Sequence, residues 1–231
     1  MNSKLIKEEK MKDIVKKIIE GNNRFSKKTS NNKFKNIVKS QTPKITLVMC
    51  SDSRYNHQLF GFEPTNQIFT IENIGNQIKT AEGSVEYGIL HLKTPVLMIL
   101  GHTGCGAIKA SLSDYNEETP AIKKELMQLE KDRGSKWFKD INVEIRESKF
   151  AEYNVDMQVK FALKKFKKLV DNKELMIMGA MYDFHNHYSF NKGELYITNI
   201  NGITDMHDIK RMDMMLWIDG EIRDKKIKRL S

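Results

Sequence analysis

The sequence is poor in cysteine, proline and glycine. Its 231 residues include two cysteines, Cys50 and Cys105, four prolines and 13 glycines. Two cysteines in a chain of this size argue against a disulfide framework, so the thiols are metal ligands, nucleophiles or core residues. Proline and glycine are too sparse for a long flexible linker.

Long apolar runs are missing as well. No stretch approaches the roughly 20 residues of a membrane-spanning helix, and the run from Pro95 to Leu100 has the length of a strand. The amino-terminal segment carries acidic residues and has no apolar signal core. We therefore expect a cytoplasmic protein that has no membrane partner.

The charge is unbalanced, with a formal net value of +9. Most of the excess comes from lysines that are spread along the chain. We interpret them as a solvated surface and expect no nucleic-acid partner, because there is no arginine-rich patch and no interleaving of aromatic and basic residues.

The sequence does contain alternating strand-like and helix-like patterns. Apolar, β-branched runs predict five strands: KITLVMC, QIFTIENI, PVLMILG, ELMIMGAMYDF and GELYITNI. Helical spacing predicts helices in TAEGSVEYGILHLK, TPAIKKELMQLEK and NVDMQVKFALKKFKKLVD. This order predicts an α/β fold with a mostly parallel β-sheet core flanked by helices. Only a loop separates the last two runs, which predicts a C-terminal antiparallel strand.

Two segments lie outside this alternation. Apolar residues at helical spacing predict an amphipathic helix from about Ser3 to Phe25, which needs the body or another subunit to pack against. We therefore predict an N-terminal helical arm, residues 1–35, and an α/β domain, residues 36–231, within a single domain overall. Residues 132–154 predict only short helices and loops.

Metal-ligating side chains follow two of the predicted strands. Cys50 ends the first strand, His102 follows the third, and Cys105 comes three residues later. Ligands bind beyond the carboxyl ends of parallel strands. Thiolate and imidazole suit zinc, and three protein ligands leave a fourth position open, as in catalytic sites. Spacing alone leaves open a chance pattern with core cysteines, and it leaves these histidines as formal fourth ligands: His57, His91, His185, His187 and His207.

Two charged residues alternate with Cys50. If the chain stays extended, Asp52 and Arg54 point to the same side as the thiol. A guanidinium would keep the Asp52 carboxylate ionised and oriented, so that it could accept a hydrogen bond from a zinc-bound water. The alternative is an ordinary surface ion pair.

These residues resemble a known family. The segments CSDSR, at 50–54, and GHTGCGAIK, at 101–109, are similar to the paired zinc motifs of the β-class carbonic anhydrases, especially the plant-like branch. Other segments follow in the family's order: EGNNRF, ENIGN, SVEYGILHLK, NVDMQV and MIMGAMYDF. The resemblance implies that Cys50, His102 and Cys105 bind one Zn²⁺ per subunit, and that Asp52 and Arg54 form the catalytic dyad.

The resemblance also implies substrate-binding residues. Gln41 would contact the substrate, and the Gly106 backbone N–H would point at a bound oxygen. Phe69 and Tyr87 would line a cleft that two subunits share, although plain core packing is an alternative for both. A homodimer or a higher homo-oligomer follows from the same resemblance.

Two positions depart from the family pattern. Glu72 stands where members with a bicarbonate regulatory pocket carry an arginine, which argues against that pocket. With Gln41 present, we expect the open form of the site, with water on zinc and Asp52 held by Arg54. Tyr55 replaces the small aliphatic residue that usually follows the arginine of the dyad, and the sequence assigns it no role.

The function implied by the resemblance is carbonate dehydration: a zinc-bound hydroxide reversibly converts carbon dioxide to bicarbonate and a proton. His57 is a candidate proton shuttle, with a surface histidine as the alternative. Hydrolysis of carbonyl sulfide or carbon disulfide on the same zinc is a second hypothesis. A third is a non-catalytic zinc or nucleic-acid-binding protein, against which the dyad argues.

Overall fold

The computed structural model describes residues 3–30, 34–35, 37–134, 142–189 and 191–230. The chain divides into two compact units, Met1–Gln41 and Thr42–Ser231. Within the described residues, every helix is too short or too polar to cross a bilayer.

The first unit consists mainly of helix α1, Ser3–Lys28. The predicted amphipathic helix is confirmed and runs three residues further than expected, because Lys27 and Lys28 in its last turn suit the negative end of the helix dipole. Its apolar stripe is exposed, with Ile18 at 65% and Ile19 at 64% of full accessibility.

The second unit holds the sheet and the remaining elements. Its strands are β1 (Ile45–Cys50), β2 (Ile68–Asn73), β3 (Val96–His102), β4 (Met176–Asp183) and β5 (Glu194–Ile200). Its helices are α2 (Glu82–Glu86), α3 (Gly106–Ser111), α4 (Pro120–Arg133), α5 (Val143–Lys165), α6 (Lys167–Asp171), α7 (Met206–Lys210) and α8 (Gly220–Lys226). Single 3-10 turns cover His57–Phe60, Lys79–Ala81 and Asp213–Met215, and a π-helical turn, Tyr87–His91, continues α2.

The strand order is β2-β1-β3-β4-β5. The first three pairings are parallel, and β5 runs antiparallel to β4, so the predicted α/β fold and its antiparallel last strand are confirmed. In the sheet, β2 lies on one side of β1 and β3 lies on its other side. The order therefore reverses between β1 and β3, and ligands bind at such a switch point, outside the carboxyl ends of the strands.

One layer of the core lies between the sheet and helix α5. Val155 and Val159 on α5 are fully buried. A Cβ on Gly101 of β3 or Gly179 of β4 would lie within 2.8 Å of Val155 methyl groups. These two glycines therefore let the helix pack closely on the strands.

Two sequence predictions about helix α5 are wrong. Residues 143–153, expected to form short helices and loops, belong to the 23-residue helix α5. Phe150 and Ala151 are buried on the apolar face of this helix, and Glu152 beside them is also fully buried. A charged residue in the buried face interrupts the apolar spacing by which a helix is predicted. The helical pattern predicted through residue 171 is instead divided at Phe166, where the backbone leaves helical geometry between α5 and α6. Residues 135–141 lie outside the described residues.

Candidate metal centre

The structure brings Cys50, His102 and Cys105 together at the switch point. Their ligating atoms all lie within 4.8 Å of one another, and the two sulfur atoms are 3.9 Å apart. All three side chains are buried, and both thiols are free. Among the described residues, this is the one cluster of three or more histidine, cysteine or acidic side chains placed to hold a metal ion.

The His102 ring presents its Nε2 lone pair to this cluster. Nδ1 lies 3.0 Å from the Thr103 carbonyl oxygen, and a carbonyl can only accept, so Nδ1 carries the proton. Nε2 is buried without a hydrogen-bond partner, 3.8 Å from Asp52 Oδ2. A buried, unpaired nitrogen whose ring is oriented by a backbone carbonyl is the usual arrangement of a metal-ligating histidine.

Backbone amides stabilise both sulfur atoms. The Gly75 amide donates to the Cys50 sulfur, while the amides of Ala107 and Ile108, at the start of α3, donate to the Cys105 sulfur. The contact between the two thiols lowers the pKa of Cys50, and the same contact together with burial raises the pKa of Cys105. In the structure as it stands the pair therefore favours one thiolate and one thiol. Both sulfur atoms could ionise together only with a cation beside them, and two sulfur donors with an imidazole nitrogen fit a zinc ion.

Asp52 and Arg54 form a bidentate ion pair beside the cluster. Arg54 Nε donates to Asp52 Oδ1 at 2.8 Å, and Nη2 donates to Oδ2 at 2.7 Å. Nη2 also donates to the Gly104 carbonyl at 2.9 Å, and the guanidinium lies 4.7 Å from the centre of the Phe184 ring. These hydrogen bonds from Arg54 lower the pKa of Asp52 to about 2, so the carboxylate is ionised at neutral pH.

Residues at and just after the end of β4 lie beside the cluster, and the sequence did not predict this. Thr103 Oγ1 donates to the buried Asp183 carboxylate at 3.2 Å and lies 3.0 Å from His185 Nδ1. The His185 ring covers Gly104, which has a φ of +63° and faces the ring so closely that a Cβ would lie 2.3 Å from Cε1. Asp183 was predictable in principle, because it ends a strand beside β3. His185 was named only as a formal ligand, and it lies outside the metal cluster.

The substrate residues implied by the resemblance lie in different places. Gly106 is the first residue of α3, where helix N–H groups have no intrahelical acceptor. Phe69 pairs with Thr46, four residues before Cys50, which is roughly 13 Å along the strand. The Tyr87 ring lies 5.9 Å from that of Phe69, so the structure does not bring either aromatic residue to the metal cluster of its own chain. Gln41 belongs to the first unit, and all four roles stay predictions.

Two other histidines that the sequence offered contact residues outside the metal cluster. His57 Nε2 lies 2.7 Å from Thr70 Oγ1, and the His91 ring stacks on Tyr87 with centroids 4.5 Å apart. Glu72 is exposed on β2. A shuttle role for His57 stays a prediction.

Comparison with known proteins points to one family. Residues 45–189 match the model of the carbonic anhydrase family. The carbonic anhydrase of Saccharomyces cerevisiae is 36% identical over 88 residues, which cover 36% of this chain and 39% of that one. That of Synechococcus elongatus is 31% identical over 120 residues, covering 47% and 44%. The alignments thus span less than half the length of these curated relatives.

Solved structures share the fold. A β-carbonic anhydrase of Coccomyxa superimposes with a TM-score of 0.68 at 22% identity, covering 85% of this chain and 92% of that one. A tetrameric β-carbonic anhydrase of Sordaria macrospora gives a TM-score of 0.64 at 21% identity, covering 74% and 92%. The family match spans more than half of the chain and includes the whole cysteine–histidine cluster. The chain therefore belongs to the carbonic anhydrase family, and its fold is that of the β-class.

Proposed function

We propose that the protein catalyses the reversible hydration of carbon dioxide to bicarbonate and a proton, with one Zn²⁺ per subunit held by Cys50, His102 and Cys105. The observation that carries this proposal is the buried, unpaired Nε2 of His102, which lies within 4.8 Å of both sulfur atoms and 3.8 Å from the Asp52 carboxylate. When bound, zinc would act as a Lewis acid that lowers the pKa of water from 15.7 toward roughly 7.

The dyad would orient the reacting water. Asp52 offers only acceptor oxygens, so it can take a hydrogen bond from a water and hold its lone pair toward carbon dioxide. Arg54 has two roles: it keeps Asp52 ionised, and its bond to the Gly104 carbonyl fixes the pair to the loop that carries Cys105. The Gly106 N–H, at the start of α3, is a donor for a product oxygen.

We also propose that the working form is a homo-oligomer. Phe69 and Tyr87 lie away from the cluster of their own chain, so they could line a substrate cleft only at the site of a neighbouring subunit. The tetrameric Sordaria relative supports this assembly. Light scattering coupled to size-exclusion chromatography measures the subunit number, and a strictly monomeric active enzyme would contradict the proposal.

The test is a comparison of metal content and turnover. The purified protein should contain about one zinc per chain and should hydrate carbon dioxide in a stopped-flow indicator assay. Cys50→Ser should lose both zinc and activity. Asp52→Asn should keep zinc and lose at least about a hundred-fold in rate, because the neutral amide has one acceptor oxygen, which cannot serve both the Arg54 fork and the water.

Two outcomes would reject the proposal. Full carbon dioxide hydration by zinc-free Cys50→Ser protein would remove the metal from the reaction. Turnover of carbonyl sulfide or carbon disulfide, without carbon dioxide hydration, would assign the same site to hydrolysis of those substrates.

A further inference from the structure

Tyr55 lies where strands β1 and β3 separate. The register between them ends at the pair Met49–Leu100, and Cys50 lies one residue beyond it. There the Cys50 N–H donates to the Tyr55 hydroxyl at 3.0 Å. The hydroxyl thus accepts the hydrogen bond of an amide that lies beyond the last pair between β1 and β3.

The Tyr55 ring packs against His102, the imidazole ligand of the proposed zinc site. Its centroid lies 5.1 Å from that of the His102 imidazole, with the planes inclined by 50°. On its other sides it stacks on Tyr182 at 5.6 Å and meets the edge of Phe184 at 5.8 Å. Only 8% of Tyr55 is exposed, so the ring has little freedom to move.

One side chain therefore touches the backbone of Cys50 and the imidazole of His102. The same Phe184 ring that meets Tyr55 also lies under the Arg54 guanidinium. A small aliphatic residue at this position could not accept from the Cys50 amide, nor could it reach the imidazole and the two aromatic rings together.

We propose that Tyr55 is a positioning residue of the metal centre: its hydroxyl holds Cys50 and its ring holds His102, so that it sets the zinc affinity and the coordination geometry. This inference rests on the zinc centre of the proposed function. Residues that orient metal ligands in this way typically change metal affinity by ten- to a hundred-fold when they are replaced.

Tyr55→Phe is the sharpest variant, because it keeps the ring and removes the acceptor of the Cys50 N–H. We expect zinc affinity, measured by competition with a chromophoric chelator, to fall at least about ten-fold. In the Co²⁺-substituted protein, the ligand-field and thiolate charge-transfer bands should shift, because the Cys50 sulfur moves with its backbone.

Tyr188→Phe is the matched control. Tyr188 is also a buried tyrosine; its hydroxyl donates to Glu152 at 2.7 Å and its ring stacks on Tyr196, away from the metal ligands. This variant should lose stability but keep the wild-type zinc affinity and Co²⁺ spectrum. A Tyr55→Phe protein with wild-type affinity and spectrum would overturn the inference, as would equal changes in both variants.

A measurement on the unaltered protein covers the case in which Tyr55→Phe does not fold. The Cys50 amide should exchange its proton as slowly as the interior amides of β1, and fast exchange would overturn the inference. Failure of the wild-type protein to bind zinc or Co²⁺ would instead reject the proposed function, so the two failures are distinguishable.

Discussion

Arg54 donates to both oxygens of the Asp52 carboxylate, from Nε at 2.8 Å and from Nη2 at 2.7 Å. Two parallel bonds fix the plane of the carboxylate as well as its charge. The third bond, to the Gly104 carbonyl, ties this plane to the loop between His102 and Cys105. The orientation of the carboxylate is therefore coupled to the positions of His102 and Cys105.

Arg54→Lys tests this geometry. Lysine keeps the positive charge but offers no planar fork, so Asp52 would stay ionised and lose its fixed orientation. We expect carbon dioxide hydration to fall at least about ten-fold with zinc content unchanged, measured on the same preparation. Arg24→Lys, on the exposed helix α1, is the control and should have no effect. A wild-type rate in Arg54→Lys would show that charge alone suffices.

Gly104→Ala tests the contact with His185. Alanine at a φ of +63° costs about 1–2 kcal/mol, and the new Cβ would lie 2.3 Å from the His185 ring. We expect a lower melting temperature and reduced hydration activity, since the carbonyl that anchors Arg54 would move. Gly83→Ala in α2 meets no atom within 4 Å and should be neutral or slightly stabilising. Equal melting temperatures for the two variants would contradict the expected clash.

Arg229→Leu tests a buried ion cluster near the chain end. Glu152 is fully buried, and its Oε2 accepts from Tyr188 Oη at 2.7 Å and from the Leu230 amide at 3.0 Å. Its Oε1 forms an ion pair with Arg229 Nη2, 3.1 Å away. Arg229 also forms a bidentate pair with Asp156. Without Arg229, Asp156 loses its bidentate partner, and Glu152 keeps an ion pair with Lys149, whose Nζ lies 3.5 Å from Oε1. Removing one partner of a buried ion pair typically costs about 3–5 kcal/mol.

Urea denaturation measures this loss of unfolding free energy. The control is Lys167→Ala, which removes an exposed ion pair with Asp171 and should cost less than about 0.5 kcal/mol. A loss in Arg229→Leu as small as in the control would show that Lys149 alone neutralises Glu152.

The His185 side chain should titrate below the ordinary histidine range. Burial lowers its pKa first, and the positive charges of His187, Arg54 and Lys192 lower it further, against the opposing effect of Asp183. A lowered folded-state pKa means that folding favours the neutral ring. The stability that His185 contributes is therefore fully present above about pH 6.5, the ordinary histidine pKa. It is lost as the pH falls through the lower pKa of the folded state.

Two measurements check this prediction. Side-chain NMR, with the resonance assigned by its loss in His185→Gln, should give a pKa below that of an unstructured histidine. The melting temperature of the wild type should also fall more steeply than that of His185→Gln as the pH drops below 6.5. A raised pKa, or identical pH profiles, would contradict it.

Local chemistry was enough to predict much of this protein. Each strand is a short apolar run bounded by polar or turn residues, so all five could be located from the sequence. The three side chains of the candidate metal cluster could be named as well, because thiols are rare in the chain, one of them ends a strand, and the other lies three residues after a histidine. Alternation by two residues associated Asp52 and Arg54 with Cys50, but the extended chain that it assumed is wrong. The chain turns at Ser53 and Arg54, and in that turn the Arg54 amide also donates to Asp52 Oδ1 at 3.0 Å.

Tertiary structure decided what depends on contacts between distant segments. Glu152 looks like a surface residue in the sequence, but in the structure it is buried against Lys149, Tyr188 and Arg229, the last of them 77 positions later. The covering of Gly104 by His185 depends on the register of β3 with β4. Tyr55 could not be assigned a role from spacing, since its hydroxyl meets Cys50 only where β1 and β3 part. Sequence patterns report local propensity and residue chemistry, whereas the partner of a buried polar group is selected by the packing of the whole sheet.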